Sequence, residues 1–129
     1  MRLQLNLSIR LLYTNVIPVD LLNWVKKTDI HPLIASCIFH YEIEILHPFT
    51  DGNGRMGRLW QTLILSQWRP ELSWLPFETE IYNERQDYYS VLEGSDRRSD
   101  CTAFIVYMLD KLAKALLEVS DIQSPPMNV

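Results

Sequence analysis

The chain has 129 residues, 47% of them hydrophobic, and a formal net charge of -4. That is room for one domain with one core, at the apolar share of an ordinary globular protein. The mild acidity argues against a nucleic-acid or anionic-membrane surface, and no apolar run approaches the roughly 20 residues of a membrane span.

In chain order, residues 1–10 alternate apolar and polar, with Leu3, Leu5, Leu7 and Ile9 on one side. That period of two predicts a half-buried edge strand or arm over 1–17. Pro18 suits the first turn of a helix that buries Val19, Leu22, Trp24 and Val25 and ends near Thr28. Pro32 opens a second helix running to about Leu46, with Asp29 as a candidate N-cap and Ile34, Cys37, Ile38, Tyr41 and Ile45 as its stripe. A third helix starts near Asn53 or Gly54 and stops before Pro70. It is apolar on more than one side, which predicts the central, mostly buried helix.

Residues 69–77 form a proline-punctuated connection anchored by Leu72, Trp74 and Leu75. A fourth helix is expected over about 78–93, with Ile81, Tyr88, Val91 and Leu92 inside and Gly94-Ser95-Asp96 ending it. Ser99 or Asp100 caps a fifth helix that buries Phe104, Ile105, Met108, Leu109, Leu112 and Leu116. The tail from 119 is expected to be loosely held. The fold class is therefore all-α, a helical bundle over residues 18–118 with a central buried helix and possible room for one N-terminal strand. Cys37 and Cys101 fall in apolar helical patterns, so they read as reduced, partly buried thiols. With no basic-then-apolar leader, the default compartment is the cytoplasm.

The densest chemistry lies at His47 to Arg58, H-P-F-T-D-G-N-G-R-M-G-R, between two apolar helical patterns. Gly52-Asn53-Gly54 falls at a helix start, where the first amides lack partners within the helix and the dipole is positive. Flanking glycines let a ligand come close to the backbone. Together they make an anion cradle suited to phosphate. Arg55 and Arg58 sit in the first turns, where cations oppose the dipole. They make sense there if an anion is bound, and guanidinium forks match phosphate oxygens. The blander reading is two surface arginines paired with Asp51 or Glu44.

Asp51 stands at the mouth of the cradle. One carboxylate plus phosphate oxygens and water is the usual way to hold magnesium. A calcium loop fits poorly, because counting from Asp51 puts Met56 where glycine is needed and Thr62 where glutamate is needed. His47 closes the second helix. Its imidazole titrates near physiological pH and is suited to take a proton from a hydroxyl. His31 and His40 have no comparable context.

These residues resemble the Fic family signature, H-x-F-x-D/E-G-N-G-R-x-x-R, at every defined position: His47, Phe49, Asp51, Gly52, Asn53, Gly54, Arg55 and Arg58. The resemblance extends over about residues 18–118, including Tyr88-Tyr89 and the helix from Cys101. It implies an all-α core that transfers AMP from ATP to a Ser, Thr or Tyr hydroxyl of a target protein. It casts His47 as general base, Asp51 as the Mg²⁺ ligand, and Gly52, Asn53 and Gly54 as the anion hole. Arg55 and Arg58 would hold the β- and γ-phosphates. Related kinases carry Lys where this chain has Gly54, so Gly54 points to nucleotidyl transfer.

The family's β-hairpin flap aligns the target hydroxyl, and residues 1–10 resemble a remnant of it. The family's inhibitory motif, S/T-x-x-x-E-G/N, is one residue longer than Ser90-Val91-Leu92-Glu93-Gly94. Inhibition is thus expected from a partner or from further sequence. Two alternatives stand beside the adenylyltransferase: a Fic transferase using another nucleotide donor, and a truncated, non-catalytic nucleotide-binding module.

Overall fold

The computed structural model describes residues 17–46 and 52–123, and among them every regular element is helical. The strand expected over residues 1–10 lies outside the described residues, as does the end of the expected tail, from Ser124; residues 119–123, expected to be loosely held, are helical. Six α-helices run α1 (Ile17–Lys27), α2 (Pro32–Leu46), α3 (Asn53–Trp68), α4 (Phe77–Asn83), α5 (Arg85–Arg98) and α6 (Thr102–Gln123). A 3-10 turn, Pro70–Trp74, joins α3 to α4. No described helix is long and apolar enough to cross a membrane.

The central helix is α2, where the sequence pattern pointed to α3. Nine successive residues of α2, from Ala35 to Ile43, are buried. The helix is apolar on nearly every side, so it has no outward face to give water, and α1, α3 and α6 pack around it. In contrast, α3 leaves Leu59 and Leu63 exposed and buries Gly57, Gln61 and Leu65 on the face toward α2. One core group joins Cys37, Ile38 and Tyr41 of α2 to Leu65, Ile81, Tyr88, Phe104, Met108 and Leu112. On the other side of α2, Phe39 and Ile43 pack with Leu21, a fully buried residue of α1 that the expected stripe passed over.

Local chemistry explains the other departures. The α2 cap is His31, directly before Pro32; its Nδ1 accepts the Leu33 N–H at 3.1 Å, leaving the expected Asp29 exposed. The expected fourth helix is two helices, because Glu84 leaves helical geometry at φ -121°, ψ 37°. Gly94 does not end α5, since glycine allows a stop without forcing one. The stop is Ser99, left-handed at φ 51°. Its N–H reaches Asp96 O while the Asp100 N–H reaches Ser95 O, the paired bonds of a Schellman ending. Asp100 then caps α6, accepting the Thr102 hydroxyl at 2.6 Å and the Thr102 N–H at 2.9 Å, which hold its carboxyl well below the usual range. Two expected core positions face water instead: Trp74 is 84% exposed and Leu116 52%.

Candidate functional site

The turn into α3 is set by Gly52, whose φ of 81° and ψ of 17° place it in the left-handed region that side chains disfavour. The Met56 N–H closes the first turn on Gly52 O at 2.9 Å. No acidic residue lies in that first turn. The positive end of α3 therefore lacks a local carboxylate among its own residues.

Both arginines turn back toward this end, as helical side chains do. The Arg55 guanidinium lies 3.5 Å from where a Cβ on Gly52 would stand. Arg58 Nη1 lies 3.1 Å from the same point on Gly54. Side chains at 52 or 54 would crowd the two cations away from the helix end. Glu44 Oε1 also borders the Gly54 point, at 3.4 Å, so α2 supplies a carboxylate on the side of Arg58.

The structure thus brings Gly52, Gly54, Arg55 and Arg58 to one helix end, with Asn53 opening that helix. His47 and Asp51 belong to the 47–51 segment, outside the described residues. Among the described residues no group of three or more His, Cys, Asp or Glu could hold a metal ion alone.

Arg58 has a second neighbourhood. It lines a cleft of ≈ 500 Å³ walled by Glu78, Thr79, Ile81 and Tyr82 of α4 and by Arg85, Tyr88 and Tyr89 of α5. Volumes of roughly 300–1,000 Å³ are usual for small-molecule sites. Tyr82 and Tyr89 are 66% and 58% exposed, so both aromatic side chains are within reach of a ligand. Arg85 stacks its guanidinium 4.8 Å from the Tyr82 ring centre and donates to Tyr82 O at 3.3 Å.

Behind the site lies a buried polar chain absent from the sequence reading. His40 is fully buried and meets Gln61 Oε1 through Nδ1 at 2.6 Å and the Tyr88 hydroxyl through Nε2 at 2.7 Å. An amide oxygen only accepts, so Nδ1 carries the proton and the Tyr88 O–H donates to Nε2. Gln61 Nε2 in turn donates to Cys37 Sγ at 3.5 Å. Burial is the main force on all three titrating groups. It pushes His40 down to about 4, with Arg58 adding to the fall, and lifts the Cys37 thiol up to about 12. It also raises the Tyr88 phenol, with the Glu44 carboxylate adding to the rise. His40 is therefore a neutral core histidine, and Cys37 an inert thiol.

The legible trace of this arrangement was Gly54, Gly57, Arg58 and Gln61, spaced along one helical face. Gly57 is the contact point. A Cβ there would stand 3.0 Å from His40 Cδ2 and 3.3 Å from Glu44 Oε1. Gly57→Ala should lose about 1 kcal/mol. Overpacking a locked ring costs about 1–3 kcal/mol, and better helix propensity returns about 1 kcal/mol. Chemical denaturation reads this directly, and a more stable variant would show that α2 and α3 are not in the described contact.

Comparisons with known proteins bear on the fold that carries these residues. The sequence profile of the Fic/DOC family matches residues 8–65. The chain is 38% identical over 92 residues to "Protein adenylyltransferase fic-1" of Caenorhabditis elegans, covering 70% of this chain and 16% of that protein. It is 32% identical over 89 residues to "Protein adenylyltransferase Fic" of Nematostella vectensis, covering 67% of this chain and 19% of that one. The crystal structure of a Fic family protein from Desulfovibrio desulfuricans G20 superposes with a TM-score of 0.78 at 51% identity. That match covers 88% of this chain and 36% of that one. The chain thus spans less than a fifth of the curated relatives' length.

Proposed function

Because the chain belongs to the Fic/DOC family, we propose that it is a protein adenylyltransferase, moving AMP from ATP to a Ser, Thr or Tyr hydroxyl of a target protein. The observation that carries this is the double position of Arg58, which borders both the glycine-lined end of α3 and the aromatic-walled cleft. A triphosphate at the helix end and a base in the cleft are joined through that one side chain. The relatives named adenylyltransferases, although far longer than this chain, support the same reading.

In this proposal the amides and glycines at 52–54 hold the α-phosphate, with Asn53 orienting it, and Arg55 and Arg58 hold the β- and γ-phosphates. His47 takes the proton from the target hydroxyl. Its oxygen forms a bond to the α-phosphorus while the bond to pyrophosphate breaks, and the arginines neutralise the departing charge. Catalysis is then positioning plus charge stabilisation.

Magnesium fits this donor set as a companion of the nucleotide. The two arginines and the helix end disfavour a bare cation, whereas one carboxylate, Asp51, suffices when phosphate oxygens and water complete the shell. When bound, the ion would offset charge on the phosphates. Ser90–Gly94 lies within α5, so we assign inhibition to a partner protein or another segment. Residues 18–118 form the proposed Fic unit. A cytoplasmic setting belongs to the same proposal, in keeping with the buried thiols of Cys37 and Cys101.

Incubating the chain and a cell lysate with Mg²⁺ and ATP labelled at the α-phosphate tests the reading. Label should appear on protein and vanish on chelation of magnesium. ATP binding with no labelled protein would sink transfer and favour a non-catalytic nucleotide-binding module.

A further inference from the structure

Lys111 of α6 is 1% exposed, yet it carries an ammonium group into the interior. Its Nζ donates to Glu84 Oε2, and the same group lies 5.2 Å from the centre of the Tyr107 ring. The ammonium holds the Glu84 carboxyl below its ordinary range. Glu84 is the single residue between α4 and α5. Its N–H closes α4 on Ile81 O, and its carbonyl accepts the Tyr88 N–H that begins the ladder of α5.

Every cleft residue except Arg58 belongs to α4 or α5. The two walls therefore meet at the residue that Lys111 grips. A second contact runs the same way: the Tyr107 ring is 6.3 Å from the ring of Tyr88, which lines the cleft. α4 is only seven residues long and has two buried residues, Phe77 and Ile81, to hold it. So short a helix is a weak unit on its own.

Stability alone gives a poor reason for this lysine. Removing the ammonium from water is costly, and a half-exposed carboxylate such as Glu84 returns little of that cost. What an ion pair adds over an apolar contact is direction, because it has one partner and one geometry.

We infer that the Lys111–Glu84 pair is a positioning device for nucleotide binding: it fixes the break between α4 and α5, and with it the separation of Tyr82 from Tyr89 across the cleft. This rests on the reading of the cleft as the seat of the base. Lys111 touches no substrate and acts through Glu84.

The test uses the full chain, Lys111→Met and Lys111→Met/Glu84→Gln. Three quantities are measured: amide exchange in residues 77–83, and the affinities for Mg²⁺-ATP and for Mg²⁺-tripolyphosphate, which has phosphates but no base. Both variants should keep or raise the thermal midpoint. Exchange in 77–83 should quicken while that of α2 stays unchanged. If about one molecule in ten then holds the competent cleft, ATP affinity falls about tenfold. Tripolyphosphate affinity should not change. Unchanged exchange overturns the inference. So does unchanged ATP affinity with faster exchange, or an equal loss for ATP and tripolyphosphate. Failure of the unmodified chain to prefer ATP over tripolyphosphate overturns the base-seat reading itself, and is seen before any variant is made.

Discussion

His47→Ala should lower AMP transfer by about 10²–10⁴-fold, the range for loss of a general base, with ATP affinity and thermal midpoint unchanged. His47 directly follows Leu46, the last residue of α2, and four residues separate it from the Gly52 that turns the chain into α3. Both flanking helices are anchored by packing that does not involve the histidine: α2 is buried from Ala35 to Ile43, and α3 holds it through Gly57 and Gln61. The nucleotide's proposed holders, Arg55, Arg58 and the helix end, lie outside the mutated side chain. The effect should thus appear in the turnover rate and leave binding alone. Transfer at an undiminished rate would remove His47 from the base role.

The second large effect concerns stability. His40→Leu should lose about 2–6 kcal/mol at pH 7, since the Gln61 carbonyl and Tyr88 hydroxyl become buried groups without their partner, at about 1–3 kcal/mol each. The acid sensitivity should change as well. Folding holds the His40 imidazole near 4, below its ordinary 6.5, because burial disfavours the charged ring. The unfolded chain therefore takes the proton first as pH falls. This contribution is full above about pH 6.5 and declines as pH drops toward 4. It amounts to about 3 kcal/mol over that window. The leucine variant should lack that part of the acid loss. Denaturant titrations of both proteins at pH 7 and at points down to pH 4 read the two effects together. A variant as stable as the parent at pH 7 would contradict the hydrogen-bonded role of His40.

The grouping of Gly52, Gly54, Arg55 and Arg58 at one helix end was readable from residues alone because they are local to one another. Glycines at a helix start, and arginines set against a dipole, are neighbours in sequence and stay neighbours in space. The same holds for α3, which begins at Asn53 as its pattern indicates. The cleft was not readable, because Arg58, Tyr82 and Tyr89 come together only after α4 breaks from α5 at Glu84. The residue at that break is held by a lysine 27 positions away, a pairing that no local pattern encodes. The mistaken choice of α3 as the central helix has a similar origin. A single stripe describes a helix packed on one side, whereas α2 is covered on several, with Phe39 and Ile43 turned to α1 and Tyr41 to α6. His40 had no readable context because its partners lie 21 and 48 positions downstream.

In the proposed reaction the attacked atom is the α-phosphorus, held at the end of α3 where Gly54 leaves room. Parallel reactions with ATP labelled at the α- or the γ-phosphate, with Mg²⁺ and a lysate, decide it. α-Label is expected on protein and γ-label in released pyrophosphate, with α-label on protein reduced at least about a hundredfold in His47→Ala. Label from the γ-phosphate on protein would contradict it.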